Sequence, residues 1–329
     1  LSLYMHGTGF TGSGEARMKS LVGMSLLPDG LVEILTASTD MGQGTATVFA
    51  QIASTTLGIG FDRVFTAVPD TARVPDSGPT VASRTVTIVG QVVASLSANL
   101  RIRMLEAVAR AHGGLPSDYR LHQEQVVREV GLEPVESIAA LASRMHAEEG
   151  PVALQEGYKL SPDLNWDEVN YRGDAYPAFS WGCTVAEVAV DPDTLEVDIL
   201  RLIAIHDIGT VIHPVLAAGQ VEGGVVQAIG YALMEEVRWR DGAILNPGFT
   251  NYIIPTALDV PELEVGFVEN PYEGGPFGAK GVGEIPMNGP APAIANAIAH
   301  ALGVEVNELP VTPERILAAM HHSHAGGVR

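Results

Sequence analysis

The 329-residue sequence has very few residues that could support disulfides or metal clusters, since Cys183 is its only cysteine. One cysteine cannot form an internal disulfide, and alone it cannot hold an iron–sulfur cluster or a cysteine-rich zinc site. A chain without disulfides fits a reducing compartment, so we expect a cytoplasmic protein.

Basic residues are also scarce, with 19 Lys and Arg against 39 Asp and Glu and a formal net charge of −20. Without a basic surplus to neutralise phosphates, nucleic acid is not an expected partner. No apolar run approaches the roughly 20 residues that cross a bilayer, and no signal peptide is recognisable, so no membrane partner is expected.

Apolar residues, in contrast, are abundant: 46% of the chain is hydrophobic and 18% is charged. This is the composition of a well-buried globular protein, and the length allows two cores. The chain begins at Leu1 rather than Met, and LSLYMH has the pattern of an apolar strand already under way. We therefore expect a fragment or one subunit of a larger assembly.

Hydrophobic periodicity predicts alternating strands and helices in both halves. We predict strands at 31–38, 64–68, 179–190, 196–207 and 263–269, a strand pair near 237–245, and helices at 45–59, 86–112, 215–234, 291–302 and 313–321. The charged stretch 115–150 is predicted as a peripheral helical insertion. The fold class is therefore α+β (mixed), with two similar α/β lobes at 1–150 (helical insertion at about 113–150) and 151–329.

A glycine- and proline-rich loop near the end of the chain contains one acidic residue, Glu284, and opens directly onto a helix. Its glycines permit positive φ angles and close backbone approach, so the loop could enclose a bulky ligand while aiming one acid/base group at it. The alternative is a plain connector with a surface glutamate.

Two Gly-Gln turns stand at or near predicted helix starts. Gly42-Gln43-Gly44 precedes the helix at Thr45, where free backbone N–H groups favour anions and the Gln43 amide suits the edge of a heterocycle. Gln220 repeats this arrangement in the second half. A helix-capping turn is the alternative reading of the first.

A fourth candidate segment is the hydroxyl-rich loop at 75–85, which precedes a long helix and ends in Ala82, Ser83, Arg84 and Thr85. It could supply hydroxyl and backbone donors to a phosphate, or it could be a Ser/Thr-rich N-cap.

The stretch Gly7–Gly12 matches G-x-G-x-x-G, but strand–turn–strand rather than a helix is predicted after it. We interpret it as a loop that presents Phe10 at a cleft; a nucleotide-binding enzyme of another class is the rival.

The segments DMGQGTATVFAQIAS, VPDSGPTVASRT, GQVEGGVVQAIGYALMEE and GAKGVGEIP, in this order, resemble the molybdenum hydroxylases, the xanthine dehydrogenase and aldehyde oxidase family. The likeness is to the C-terminal half of the molybdopterin-binding subunit and covers nearly the whole chain, least so residues 113–150. It implies the aldehyde oxidoreductase type of molybdopterin-binding fold.

The resemblance also implies roles for individual residues. Glu284 corresponds to the catalytic general base, enclosed beside Lys280 in a dry pocket, and Phe10 to an aromatic ring that lies against a flat substrate. The implied cofactor-binding residues are Gly42, Gln43, Gly44, Ala82, Ser83, Arg84, Thr85, Gln220, Gly281, Val282 and Gly283. No protein side chain is expected to ligate the metal, which the pterin dithiolene would hold.

By the same resemblance the cofactor is molybdopterin with Mo, as such or as its cytosine dinucleotide. A [2Fe–2S] cluster and FAD would lie on other domains or subunits, and the N-terminal half of the molybdenum subunit would be a partner. The implied reaction is hydroxylation of a purine-like heteroaromatic or an aldehyde with water-derived oxygen. The alternative is a catalytically silent apo domain that needs its partner half to bind cofactor.

Overall fold

The computed structural model describes residues 1–161 and 164–326, with side chains described as far as residue 322. It divides the chain into a first unit, made of 1–6, 179–270 and 282–329, and a second unit, made of 7–178 and 271–281. The boundary expected at residue 150 thus falls between Ala178 and Phe179, and the two units exchange short segments.

Fifteen strands are present in the described part of the chain: β1 Ser2–Thr8, β2 Leu21–Leu26, β3 Val32–Leu35, β4 Val64–Thr66, β5 Tyr119–His122, β6 Gln125–Arg128, β7 Pro134–Ser137, β8 Val152–Gly157, β9 Trp166–Asp167, β10 Arg172–Gly173, β11 Ala178–Val190, β12 Val197–Asp207, β13 Trp239–Arg240, β14 Ala243–Ile244 and β15 Glu262–Phe267. The α-helices of the same residues are α1 Gly14–Arg17, α2 Thr45–Leu57, α3 Gly90–His112, α4 Ile138–Glu149, α5 Pro214–Leu233, α6 Ile285–Asn288, α7 Pro290–Leu302 and α8 Pro313–Gly326. The elements predicted from periodicity are found close to their expected bounds.

The main sheets of the two units have the same construction. In the second unit β2 and β3 form an antiparallel hairpin, α2 follows, and β4 pairs parallel to β3, giving the order β4-β3-β2-β8. In the first unit β11 and β12 form the hairpin, α5 follows, and β15 pairs parallel to β12, giving the order β1-β11-β12-β15. The prediction of a mixed fold with two similar α/β lobes is confirmed.

The sheet of the first unit buries one face against its crossover helix. In the first unit Leu202 and Ala204 of β12 share a buried cluster with Val221, Val225 and Ile229 of α5. These helical residues recur at intervals of four, which places them on one face. In the second unit α2 is bounded by Gly44 and Gly58, both with the left-handed φ that suits glycine at helix ends.

Residues 115–150 differ from the prediction of a helical insertion. Strands β5, β6 and β7 form a separate three-stranded antiparallel sheet, and the helical residues are α4 and a short 3-10 turn at Pro116–Asp118. Each strand has four residues, too few to reveal period-two alternation against a charged background. The segment after Gly12 also contains a short helical turn, α1, before the expected hairpin.

Within the described residues, the helical stretch Thr85–His112 is long and apolar enough to cross a membrane by composition. Half of its most apolar window is buried in the protein. Leu96, Leu100 and Met104 are fully buried, so burial in a core accounts for this composition.

Candidate active site

The loop that ends in Ala82–Thr85 has a strained backbone. Ala82 and Ser83 are consecutive non-glycine residues with left-handed φ angles of 55° and 48°. A π-helical turn, Thr85–Val89, follows directly before α3. Left-handed residues of this kind cost about 1–3 kcal/mol each and persist only where their surroundings enforce them, and π-helical turns are frequent at functional sites.

A buried ion pair enforces that backbone. Arg84 and Glu15 are both buried, and Arg84 Nε lies 3.0 Å from Glu15 Oε1. The other guanidinium nitrogens donate to Ser20 Oγ and to the carbonyls of Ser77 and Pro79. Because the Arg84 side chain is turned inward and satisfied, this residue could contact a cofactor only through its backbone.

The same ion pair anchors the loop that presents Phe10. The Phe10 N–H donates to Glu15 Oε1 at 2.9 Å, and the Gly9 N–H donates to the Ala82 carbonyl at 2.9 Å. Phe10 itself is half-buried. The structure thus brings the predicted substrate loop and the predicted cofactor loop together within the second unit.

Gly281 joins this arrangement from the other end of the chain. It is buried, and a Cβ added to it would lie 2.0 Å from the Ser83 carbonyl oxygen. Only glycine therefore permits this approach. Two segments about 200 positions apart in sequence, both predicted to bind cofactor, meet backbone to backbone.

The turn at Gly42–Gly44 differs from the expectation of free donors. Asp40 Oδ1 accepts from the Gly42 N–H and Asp40 Oδ2 from the Ala46 N–H. These backbone bonds, that of Ala46 foremost, hold the pKa of Asp40 below its usual value. The expected anion position is thus taken by the protein's own carboxylate, and the capping-turn alternative describes this segment better.

The Gln43 amide is also engaged locally. Its Oε1 accepts from the Met41 N–H, and its Nε2 donates to the Thr39 carbonyl and Thr45 Oγ1. Contact between Gln43 and a cofactor stays a prediction, and it would require the amide to exchange these bonds.

Gln220 lies in the second turn of α5, inside the helix rather than at its start, and is half-buried. A Cβ placed on Gly219 or Gly223 would meet no atom within 4 Å, so this side of α5 is open. At Gly224 the helix packs closely on Pro286 of α6, with a hypothetical Cβ 2.7 Å from the proline ring. Gln220 on α5 and Glu284, just before α6, therefore belong to adjoining elements of the first unit.

Glu284 immediately precedes α6, and its side chain is 51% exposed. The described residues of this chain therefore do not by themselves enclose the carboxylate in a dry pocket, and its enclosure stays a prediction. Its Oε2 lies 3.1 Å from His6 Nε2, and His6 Nδ1 lies 3.4 Å from Asn288 Nδ2. Of the preceding residues, Gly283 is exposed, whereas Val282 packs against the core of the first unit.

Sequence reasoning missed His6, because 278 positions separate it from Glu284. The available signal was the alternation in LSLYMH, which puts Ser2, Tyr4 and His6 on one face of a strand. Nothing in that pattern identifies which element this face contacts.

The donor groups at these positions suit a pterin better than a bare metal ion. Amides, hydroxyls and backbone groups both donate and accept, as the edge of a heterocycle requires. Among the described residues no group of three or more His, Cys, Asp or Glu is placed to bind a metal. Within the second unit, the close backbone packing of Gly281 on the Ser83 loop is consistent with a segment that encloses a bulky ring system.

Comparison with known proteins agrees with this chemistry. The family model of the molybdopterin cofactor-binding domain matches residues 1–261. The xanthine dehydrogenase molybdenum-binding subunit of Escherichia coli O157:H7 is 33% identical over 297 residues, covering 89% of this chain and 38% of that protein. The aldehyde oxidoreductase of Megalodesulfovibrio gigas is 28% identical, covering 97% and 32%.

Among solved structures, quinoline 2-oxidoreductase from Pseudomonas putida 86 superposes with a TM-score of 0.85 at 25% identity, covering 97% of this chain and 41% of that one. The chain thus belongs to the molybdopterin cofactor-binding domain family, in its xanthine dehydrogenase and aldehyde oxidoreductase group. It spans about two fifths or less of the length of these relatives.

Proposed function

We propose that the chain supplies part of the molybdopterin cradle and the general base, Glu284, of a molybdenum hydroxylase. The observation that carries the proposal is the accessible and anchored Glu284 carboxylate at the end of the glycine loop. A general base needs access to the proton that it removes and a fixed position relative to it. Glu284 has both.

When bound, molybdenum would supply the two-electron redox chemistry, and the pterin would hold the metal. The Ala82–Thr85 loop and Gly281 would line the cofactor with backbone groups and the Ser83 and Thr85 hydroxyls. Gln220, from the half-buried side of α5, would contribute an amide. Glu284 would take a proton from the attacking oxygen, and that oxygen would come from water.

For the substrate we propose a flat heteroaromatic of purine type, or else an aldehyde. Phe10 lies half-buried in a loop fixed by Glu15, so its ring can be held against a planar molecule. Relatives include both a xanthine dehydrogenase subunit and an aldehyde oxidoreductase. Because the chain covers only part of their length, the proposed partners are the remaining molybdenum-subunit half and modules that carry [2Fe–2S] and FAD.

Glu284→Gln in the intact complex tests the proposal. The amide keeps the size and the hydrogen bond of the carboxylate but cannot accept a proton, so Mo and pterin should remain bound while turnover falls. A positioned base contributes about 10²–10⁴-fold, and we expect a loss of at least that size. Turnover near that of the wild type would remove Glu284 from the reaction and favour a silent structural domain.

A further inference from the structure

The hydrogen bond between His6 and Glu284 joins two well-anchored backbones. On β1, the Ser2 hydroxyl donates to the Gly289 carbonyl at 2.7 Å. The Tyr4 ring lies over Gly289, where an added Cβ would come within 1.8 Å of it. Ser2, Tyr4 and His6 alternate along the strand, so one face of β1 is fastened along the segment from Glu284 to Gly289.

This anchoring distinguishes the hydrogen bond between His6 and Glu284 from an ordinary ion pair on a protein surface. Exposed ion pairs contribute little because two long side chains must be held in one geometry. Here the His6 side chain is only 25% exposed. It projects from a strand whose preceding residues on the same face, Ser2 and Tyr4, are already fixed by contacts with Gly289. The imidazole therefore holds Glu284 Oε2 at a defined place.

Hydrogen-bond chemistry also defines which imidazole nitrogen carries the proton. An ionised carboxylate only accepts, so the nitrogen facing Glu284, Nε2, must carry a hydrogen. In a neutral imidazole the other nitrogen, Nδ1, is then an acceptor, and the Asn288 amide N–H₂ group stands 3.4 Å from it. Glu284 and Asn288 lie four residues apart, one helical turn, and bracket the same ring.

We infer that His6 is a positioning residue for Glu284, held by Asn288 as the neutral tautomer with hydrogen on Nε2. This inference rests on the proposed function of Glu284 as the base. A neutral donor fixes the orientation of the carboxylate without placing a full positive charge beside it. The His6 ring contacts Glu284 and Asn288, and it acts through Glu284.

The first test is kinetic and uses the intact complex. His6→Ala should lower kcat by about 10- to 100-fold, as loss of an orienting partner or a misplaced group does, with KM little changed. His6→Gln retains an N–H donor at similar reach and should recover most of the loss. Ser2→Ala is the matched control, because Ser2 lies on the same strand face and anchors the same segment without touching Glu284.

The second test needs no turnover. Nitrogen NMR of the full chain with ¹⁵N-labelled histidine, assigned by comparison with His6→Gln, reports the tautomer directly at alkaline pH. We expect hydrogen on Nε2 of His6, and a mixed tautomer signal in Asn288→Leu. Hydrogen on Nδ1 in the wild-type chain would overturn the inference.

Kinetic outcomes distinguish this inference from the proposed function. If Glu284→Gln abolishes turnover while His6→Ala retains the wild-type kcat, His6 has no positioning role although Glu284 remains the base. If Glu284→Gln turns over normally, the proposed function fails whatever His6 does. Equal losses in His6→Ala and Ser2→Ala, with no recovery in His6→Gln, would assign His6 a purely structural part.

Discussion

At the scale of single residues, His206 is a buried histidine in the first unit. It is fully buried, and its Nε2 lies 3.0 Å from the Tyr4 hydroxyl, while its Nδ1 has no hydrogen-bond partner among the described residues. Burial lowers the pKa of His206 from 6.5 to about 4 and raises that of Tyr4 to about 12. The folded protein therefore keeps both groups neutral near pH 7.

This lowered pKa predicts a loss of stability in mild acid. Between pH 6.5 and about 4 the histidine of the unfolded chain binds a proton that the histidine of the folded chain does not. The contribution of neutral His206 to stability is therefore fully present above pH 6.5. The free energy of unfolding then falls as the pH falls through this window, by up to about 1.4 kcal/mol per pH unit. Urea unfolding across the window should show a shallower pH slope in His206→Leu than in the wild type.

The control is His300→Gln, which changes an exposed histidine and should leave the slope unaltered. Identical slopes in the wild type and His206→Leu would show that His206 does not contribute to acid sensitivity.

Gly281 provides a second prediction for a single residue. Gly281→Ala would place a methyl group 2.0 Å from the Ser83 carbonyl, and overpacking of this kind costs about 1–3 kcal/mol. We expect a lower thermal unfolding temperature. Gly223→Ala, on the open and exposed side of α5, should instead gain about 0.5–1 kcal/mol from helix propensity. An unfolding temperature of Gly281→Ala equal to that of the wild type would contradict the close packing of Gly281 on the Ser83 loop.

Single-residue contacts were the least predictable feature of the site. Asp40 accepts hydrogen bonds from amides only two and six positions further along the chain. An aspartate just before Gly42–Gly44 therefore indicates a helix cap from the sequence alone. The contact of His6 with Glu284 could not be predicted from the sequence, because it depends on where β1 lies against α6. Exposure of Glu284 depends in the same way on what surrounds the glycine loop.

At the scale of elements, the strained loop and π-helical turn at 82–89 depend on the ion pair between Glu15 and Arg84. Breaking a buried pair by removing one partner typically costs about 3–5 kcal/mol, because an uncompensated charge remains. Glu15→Gln should destabilise the second unit by an amount of that order, measured by urea unfolding. Hydrogen exchange should accelerate at the same time for the amides of Gly9 and Arg84, which donate to the Ala82 and Val81 carbonyls of this loop.

The matched control is Glu124→Gln, which removes the partner of Arg63 in an exposed pair of the same unit. It should leave both the stability and the exchange of the loop nearly unchanged. If Glu15→Gln were as well tolerated as Glu124→Gln, the buried pair would not be what maintains the loop.

Elements with strong periodicity were predictable for a physical reason. Helix α2 has apolar residues at helical spacing between two glycines, and β11 and β12 are long and separated by an Asp-Pro-Asp turn. The sheet at 119–137 was missed because strands of four residues carry too little pattern. The π-helical turn was missed because TVTIV gives no local sign of an altered hydrogen-bond register.

At the scale of the whole molecule, the two units repeat one plan without an evident sequence repeat. Each has a hairpin, a crossover helix, a parallel strand and then a loop that leads to a helix. In the second unit that last loop ends in Ala82–Thr85. After β15 of the first unit the loop ends at Glu284, and its residues 271–281 belong to the second unit. Equivalent positions in the two units thus carry the proposed cofactor loop and the proposed base.

The chain covers 38% of the molybdenum-binding subunit from Escherichia coli O157:H7 and 41% of the quinoline 2-oxidoreductase chain. We therefore expect the cofactor cradle to be completed by another polypeptide segment. Half exposure of Glu284 accords with a carboxylate that a further segment would enclose.

The central claim is that this chain binds molybdopterin as part of a shared cradle, and Mo and pterin content tests it most directly. Elemental analysis and the fluorescence of oxidised pterin should be measured on the folded chain alone and on the complex purified with its natural neighbours. We predict stoichiometric Mo and pterin in the complex and little in the chain alone. A fully folded complex without Mo or pterin would contradict the claim.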